Sequence, residues 1–149
     1  MNRRLFALAL AAALAAPLAP GVALAQAKTH KVAIHVDDND AQRMNMALNN
    51  VENIQKHYAA KGEKISVEVV THGPGIVMLR ADTSPVKDRV AAMSLEFPEL
   101  RFSVCENTRA GMSKREGKEV PLMSEAKSVP SGVIRLIELQ EQGWTYLRP

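Results

Sequence analysis

The chain has one cysteine, Cys105, among its 149 residues. A single thiol cannot close a bridge within the chain, so no disulfide framework holds this fold. Cys105 is left to be buried, paired between subunits, or used as a working group. Long apolar runs are scarce too. The most apolar stretch, residues 5–14, is followed by Pro17 and Pro20 and falls short of the about 20 residues that a membrane span needs. No sign of charge dominates: 19 Lys and Arg stand against 16 Asp and Glu, and their scatter along the chain gives no electrostatic case for nucleic acid. Metal-ligand spacing is missing as well. The four histidines form no ligand pair, and Asp37, Asp38 and Asp40 lack both the calcium-loop spacing and its terminal glutamate. No metal and no cofactor are expected. Gly73-x-Gly75 runs into Met78 where a dinucleotide fingerprint wants a third glycine, so His72-Gly73-Pro74-Gly75 reads as a tight turn using glycine at positive φ. There is no internal repeat, low-complexity tract or linker.

What is present begins with an export signal. Arg3 and Arg4 precede the apolar run, and Ala23-Leu24-Ala25 offers small residues for cleavage, with Ala25-Gln26-Ala27 as a second register. Residues 1–25 are expected to be removed, leaving a chain that starts at Gln26 or Lys28 and a single domain over 28–149, periplasmic or secreted and free of the membrane after cleavage. Losing Arg3 and Arg4 takes the basic count from 19 to 17 against 16 acidic residues, so the net charge falls from +3 to +1.

Residues 30–36 alternate loosely and are β-branched, a first strand. The aspartates after it supply an N-cap for a helix on which Met44, Leu48, Val51 and Tyr58 recur at helical spacing, stopped at Lys61-Gly62. Residues 65–71 are a second strand. Residues 76–79 are a brief strand or a turn of helix, which periodicity does not separate. Val86, Val90, Met93 and Phe97 mark a second helix closed before Pro98. A strand over 101–104 leads into Cys105 and a third helix reaching about Lys114. A short strand at 127–129 and a fourth helix over 133–139 follow, the helix apolar over more than one stripe and so expected to be buried on two sides. Gly143 ends it, and a last strand runs from Trp144 to Leu147. Strands alternating with helices predict a three-layer α/β/α domain with a mostly parallel sheet of about five strands, a variant of the flavodoxin-like arrangement.

In a parallel sheet every strand ends at the same edge. Asp37, His72 and Cys105 each follow a strand, so they should gather at the carboxyl edge where α/β folds bind ligands. Cys105 sits at a strand-to-helix corner, where the N–H groups of Asn107 and Thr108 would favour the thiolate and the neighbouring Glu106 would oppose it. The expectation is an exposed, reactive thiol. A buried cysteine acting as a small hydrophobe suits the same pattern. A Cys-His protease reading lacks an orienting third member and an oxyanion site.

Cys105-Glu106-Asn107-Thr108, with Gly111-Met112 and the C-terminal VPSGVIRLIELQEQGWTYLRP, resembles the DsrE/DsrF-like family, and the resemblance extends from the first strand through His72-Gly73-Pro74-Gly75 to the end of the chain. It implies a compact α/β fold assembled as trimers or hexamers. It also implies sulfane sulfur carried as a persulfide on a cysteine after a central strand, the position that Cys105 matches. The sulfur-relay members are cytoplasmic and work in heteromeric sets, whereas this chain carries an export signal. The expectation is therefore an exported homo-oligomer that uses Cys105 as a persulfide or redox thiol. His72, Gly73, Asn107 and Asp37 would bind a small sulfur-containing donor or acceptor. The alternatives are a non-catalytic small-ligand-binding module and a structural homo-oligomer.

Overall fold

The computed structural model describes residues 29–149; the expected signal segment and both expected cleavage registers lie outside the described residues. Strand β1 (Thr29–Val36) leads into helix α1 (Ala41–Ala60), whose N-cap Asp40 accepts hydrogen bonds from the backbone of Gln42 and Arg43 at 2.7 and 3.0 Å. Lys61 and Gly62, the latter at φ 67°, close α1. Strand β2 (Lys64–Thr71) follows, then a 3-10 helix (Gly73–Leu79), then α2 (Lys87–Glu96). The segment that periodicity left open is thus helical. Strand β3 (Leu100–Cys105) passes directly into α3 (Glu106–Glu116), and β4 (Ala126–Val129), α4 (Gly132–Glu141) and β5 (Thr145–Leu147) complete the chain.

Among the described residues the five strands are all parallel, in the order β4-β3-β2-β1-β5. From β1 to β4 the chain steps one way across the sheet, and right-handed crossovers put those connections on one face. The step from β4 back past β1 to β5 reverses direction and puts α4 on the other. Strand alternation separates the two cores. Val32, Ile34, Val36, Val67, Val69, Phe102 and Val104 pack with α1, α2 and the 3-10 helix. Ala33 and Val70 pack on the opposite face with Leu136, Leu139 and Trp144. The result is a three-layer α/β/α sandwich of flavodoxin-like type with one face covered by α4.

That coverage accounts for one of the two expected buried sides. Helix α4 buries Gly132, Leu136 and Leu139, but Val133, Ile134 and Ile137 on its other side are 53%, 50% and 47% exposed. Among the described residues of one chain no further layer lies outside the helix, so it is buried on one side. Among the described residues no helix is long and apolar enough to cross a membrane.

Candidate functional site

Strand register builds the site. Val36 pairs with Thr71 and Thr71 with Val104, so the next residues along, Asp37, His72 and Cys105, form one row across neighbouring strand ends about 4.8 Å apart. The sequence expectation that these three gather at the carboxyl edge is met at the level of the backbone. By strand alternation the row faces α4.

Cys105 ends β3 and is the N-cap of α3. Its neighbour from the other side is the first turn of α4. A Cβ added to Gly132 would stand 2.9 Å from His72 Cβ, 3.2 Å from Cys105 Cβ and 3.3 Å from the Thr71 carbonyl oxygen. Only glycine lets the α4 backbone come this close. The thiol is covered as a result: Cys105 is 5% exposed, which overturns the expectation of an exposed cysteine. The physical reason is Gly132, whose backbone occupies the space above the sulfur.

Burial pushes the Cys105 pKa up. The Thr108 hydroxyl and the N–H groups of Gly132, Thr108 and Asn107 favour the thiolate more strongly, and the balance lies below the ordinary thiol value. The N-terminal N–H groups of two helices, α3 and α4, therefore act on one sulfur. Glu106, expected to oppose them, is engaged elsewhere. It pairs with Arg109 at 3.2 Å and accepts a hydrogen bond from the Ser128 hydroxyl at 2.9 Å.

The other expected site residues take distinct places. Gly73, at φ 52°, donates its N–H to the Thr108 hydroxyl at 3.2 Å and so ties the turn after β2 to the start of α3. The Asn107 N–H donates to the Pro130 carbonyl at 3.3 Å. The side chain of His72 turns from the sulfur toward β1: its Nε2 lies 2.7 Å from Nε2 of His35, whose Nδ1 lies 2.8 Å from the Tyr146 hydroxyl. Asp37 is held by Arg148 at 2.9 Å and approaches His35 at 3.9 Å, so its carboxylate serves the C-terminal end of the chain and the histidine pair. His35 is pushed below the ordinary histidine value by burial and by His72 and Arg148, against Asp37 and Asp38.

Three residues of the site were not foreseen. His35 had no role in the sequence reading. Glu68 is an acidic residue inside a β-branched strand and Arg135 a cation inside an apolar helix, and that misfit of type and place was the available signal. Glu68 is 1% exposed. It accepts hydrogen bonds from Arg135 Nε and the second guanidinium nitrogen, both at 2.7 Å, and from the Ser103 hydroxyl at 2.7 Å.

A recess of about 310 Å³ beside the row is lined by Gly73, Pro74, Asn107, Thr108, Gly111 and Met112. A larger recess, about 700 Å³, lies farther along around Arg80, Thr83 and Glu116, away from the sulfur. Its guanidinium is already saturated by Asp82 and Glu116. Among the described residues no cluster of His, Cys, Asp and Glu is arranged to hold a metal ion.

The model of the DsrE/DsrF-like family matches residues 4–149. The chain belongs to the DsrE/DsrF-like family. A solved structure similar to it is a protein of unknown function from Methanobacterium thermoautotrophicum, with 30% identity and a TM-score of 0.67, covering 80% of this chain and 99% of that one. No curated protein matches the chain. Membership in the DsrE/DsrF-like family suggests a role related to sulfur relay.

Proposed function

We propose that this DsrE/DsrF-like protein is exported and carries sulfur on Cys105, as a persulfide or as a redox thiol. The observation that supports this best is geometric: the N-termini of α3 and α4 meet at a cysteine that ends β3, an arrangement that favours the thiolate. The transfer balances without an outside oxidant. The Cys105 thiolate attacks the outer sulfur of a persulfide donor, a new S–S bond forms to Cys105, the donor's S–S bond breaks, and the donor leaves as its thiolate. Delivery to an acceptor thiolate is the same step in reverse. The second reading, a small-ligand-binding module at the strand ends, draws support from the 5% exposure of Cys105.

Mass spectrometry of protein purified from the periplasm separates the two. The carrier reading expects a chain starting at Gln26 or Lys28 with a fraction heavier by one sulfur atom at Cys105, and none in Cys105→Ser. It also expects iodoacetamide to alkylate the native thiol with a pH midpoint below the free value of about 8.5. A chain with no adduct that is alkylated only after denaturation would favour the binding module, whose ligand affinity would survive Cys105→Ser.

A homo-oligomer is part of the proposal. Val133, Ile134 and Ile137 on α4 and Tyr146 and Leu147 on β5 are partly exposed apolar side chains, more than a lone surface helix requires. Light scattering is expected to give a trimer or hexamer, and a strict monomer at micromolar concentration would overturn this part.

A further inference from the structure

We propose that Glu68 and Arg135 are positioning residues for Cys105: their buried two-pronged ion pair fixes the first turn of α4 so that Gly132 stays seated on the cysteine. The proposal deepens the reading of Cys105 as the working thiol and rests on it. Strand alternation places Ser103 and Cys105 on the same face of β3, and Glu68 stands on that face of β2. Arg135 follows Gly132 by three residues, about one turn, so both meet the sheet from the same side of α4. One turn of helix thus makes two contacts: its start lies on Cys105, and its end is clamped to Glu68.

The apolar contacts of α4, through Leu136 and Leu139, are non-directional and leave the helix free to slide or rotate by small amounts. A guanidinium fork on a carboxylate is directional. Its two 2.7 Å bonds, with a third from Ser103 to the same carboxylate, leave one seating for the turn. A buried ion pair adds little net stability over an apolar pair of the same size, so defining this seating is the effect that distinguishes it. A Cβ on Gly132 would stand 2.9 Å from His72 Cβ and 3.2 Å from Cys105 Cβ, so the turn sits as near this corner as a bare glycine backbone allows and nearer than any other residue could. Displacement of the turn either collides with those residues or withdraws the Gly132 N–H from the sulfur. The other charged groups near the clamp are Arg101 and Glu138, both on the same side of the sheet.

The test uses the full mature chain and two variants. Glu68→Leu with Arg135→Met removes the fork and leaves no charge buried; Arg135→Lys keeps the charge but offers one point of attachment. The readout is the pH midpoint of Cys105 alkylation by iodoacetamide, with urea melts beside it. The double variant is expected to shift the midpoint upward by about fivefold in proton concentration, the factor that one lost hydrogen bond sets. Arg135→Lys should shift it the same way by less, and it answers the question should the double variant fail to fold. A purely stabilising role would move the melts and leave the midpoint alone. An unchanged midpoint in folded Arg135→Lys, or in the folded double variant, overturns the proposal. Failure of the carrier reading looks different: a parent protein never loaded with sulfur would sink that reading while the midpoint shift remained.

Discussion

Gly75→Ala is expected to be among the most damaging single substitutions in the domain. A methyl group at Gly75 would stand 2.2 Å from the Val36 carbonyl oxygen, 2.6 Å from its carbon and 2.8 Å from Asp37 Cα. These are backbone atoms at the carboxyl end of β1, with no flexible side chain to swing aside. Either the 3-10 helix lifts from the sheet or the end of β1 bends, and Ile76, Met78 and Leu79, all fully buried behind it, shift as well. The loss should reach or exceed about 3 kcal/mol, the upper end of the range for overpacking, read by urea denaturation. A loss under about 1 kcal/mol would mean that this junction is slack. Because His72 and Asp37 flank the collision, Cys105 alkylation should change in whatever fraction remains folded.

Arg135→Met alone is the second large effect, and it has a pH signature. It leaves the Glu68 carboxylate 1% exposed with the Ser103 hydroxyl as its remaining strong partner, and breaking a buried pair this way costs about 3–5 kcal/mol at neutral pH. In the parent protein burial pushes the Glu68 pKa up while Arg135 and Ser103 pull it further down, so it lies below the ordinary carboxylate value. Its contribution is therefore present above that value and lost as pH falls through the folded one. In Arg135→Met burial prevails and the sign reverses: the folded pKa is raised, and stability lost at neutral pH returns as the solution is acidified toward the ordinary carboxylate range. Urea melts at pH 5 and pH 7 should therefore converge on the parent at the lower pH. A constant deficit at both would show that Arg135 acts through packing of its stem alone.

The layers of this domain were legible in the sequence because each element carries its own local signal. Asp40 caps α1, Gly62 and Gly143 end helices at positive φ, and β-branched runs alternate with helical spacing. What was not legible depends on which strands are neighbours. Glu68 and Arg135 lie 67 positions apart and meet only because the chain returns over the sheet between β4 and β5. The same return seats Gly132 on Cys105, so a cysteine that reads as exposed from its own strand-to-helix corner is covered by a residue 27 positions later. The stripes of α4 show the reverse limit. Hydrophobicity around the helix reports that two sides avoid water, and the described residues of a single chain supply a partner for one.

The 2.7 Å approach of His35 and His72 has a consequence in the counting of protons. Two Nε2 atoms so close share one proton between them, so the tautomers of the two rings are linked. If His72 donates, His35 accepts at Nε2 and must donate from Nδ1 to the Tyr146 oxygen. If His35 donates instead, the Tyr146 hydroxyl must give its proton to His35 Nδ1, and the proton of neutral His72 sits on its Nδ1. The three groups therefore reverse together. Whatever changes the hydrogen bonding of Tyr146 on the edge strand also changes which nitrogen of His72 bears hydrogen, one strand away from the sulfur, with no movement of the backbone.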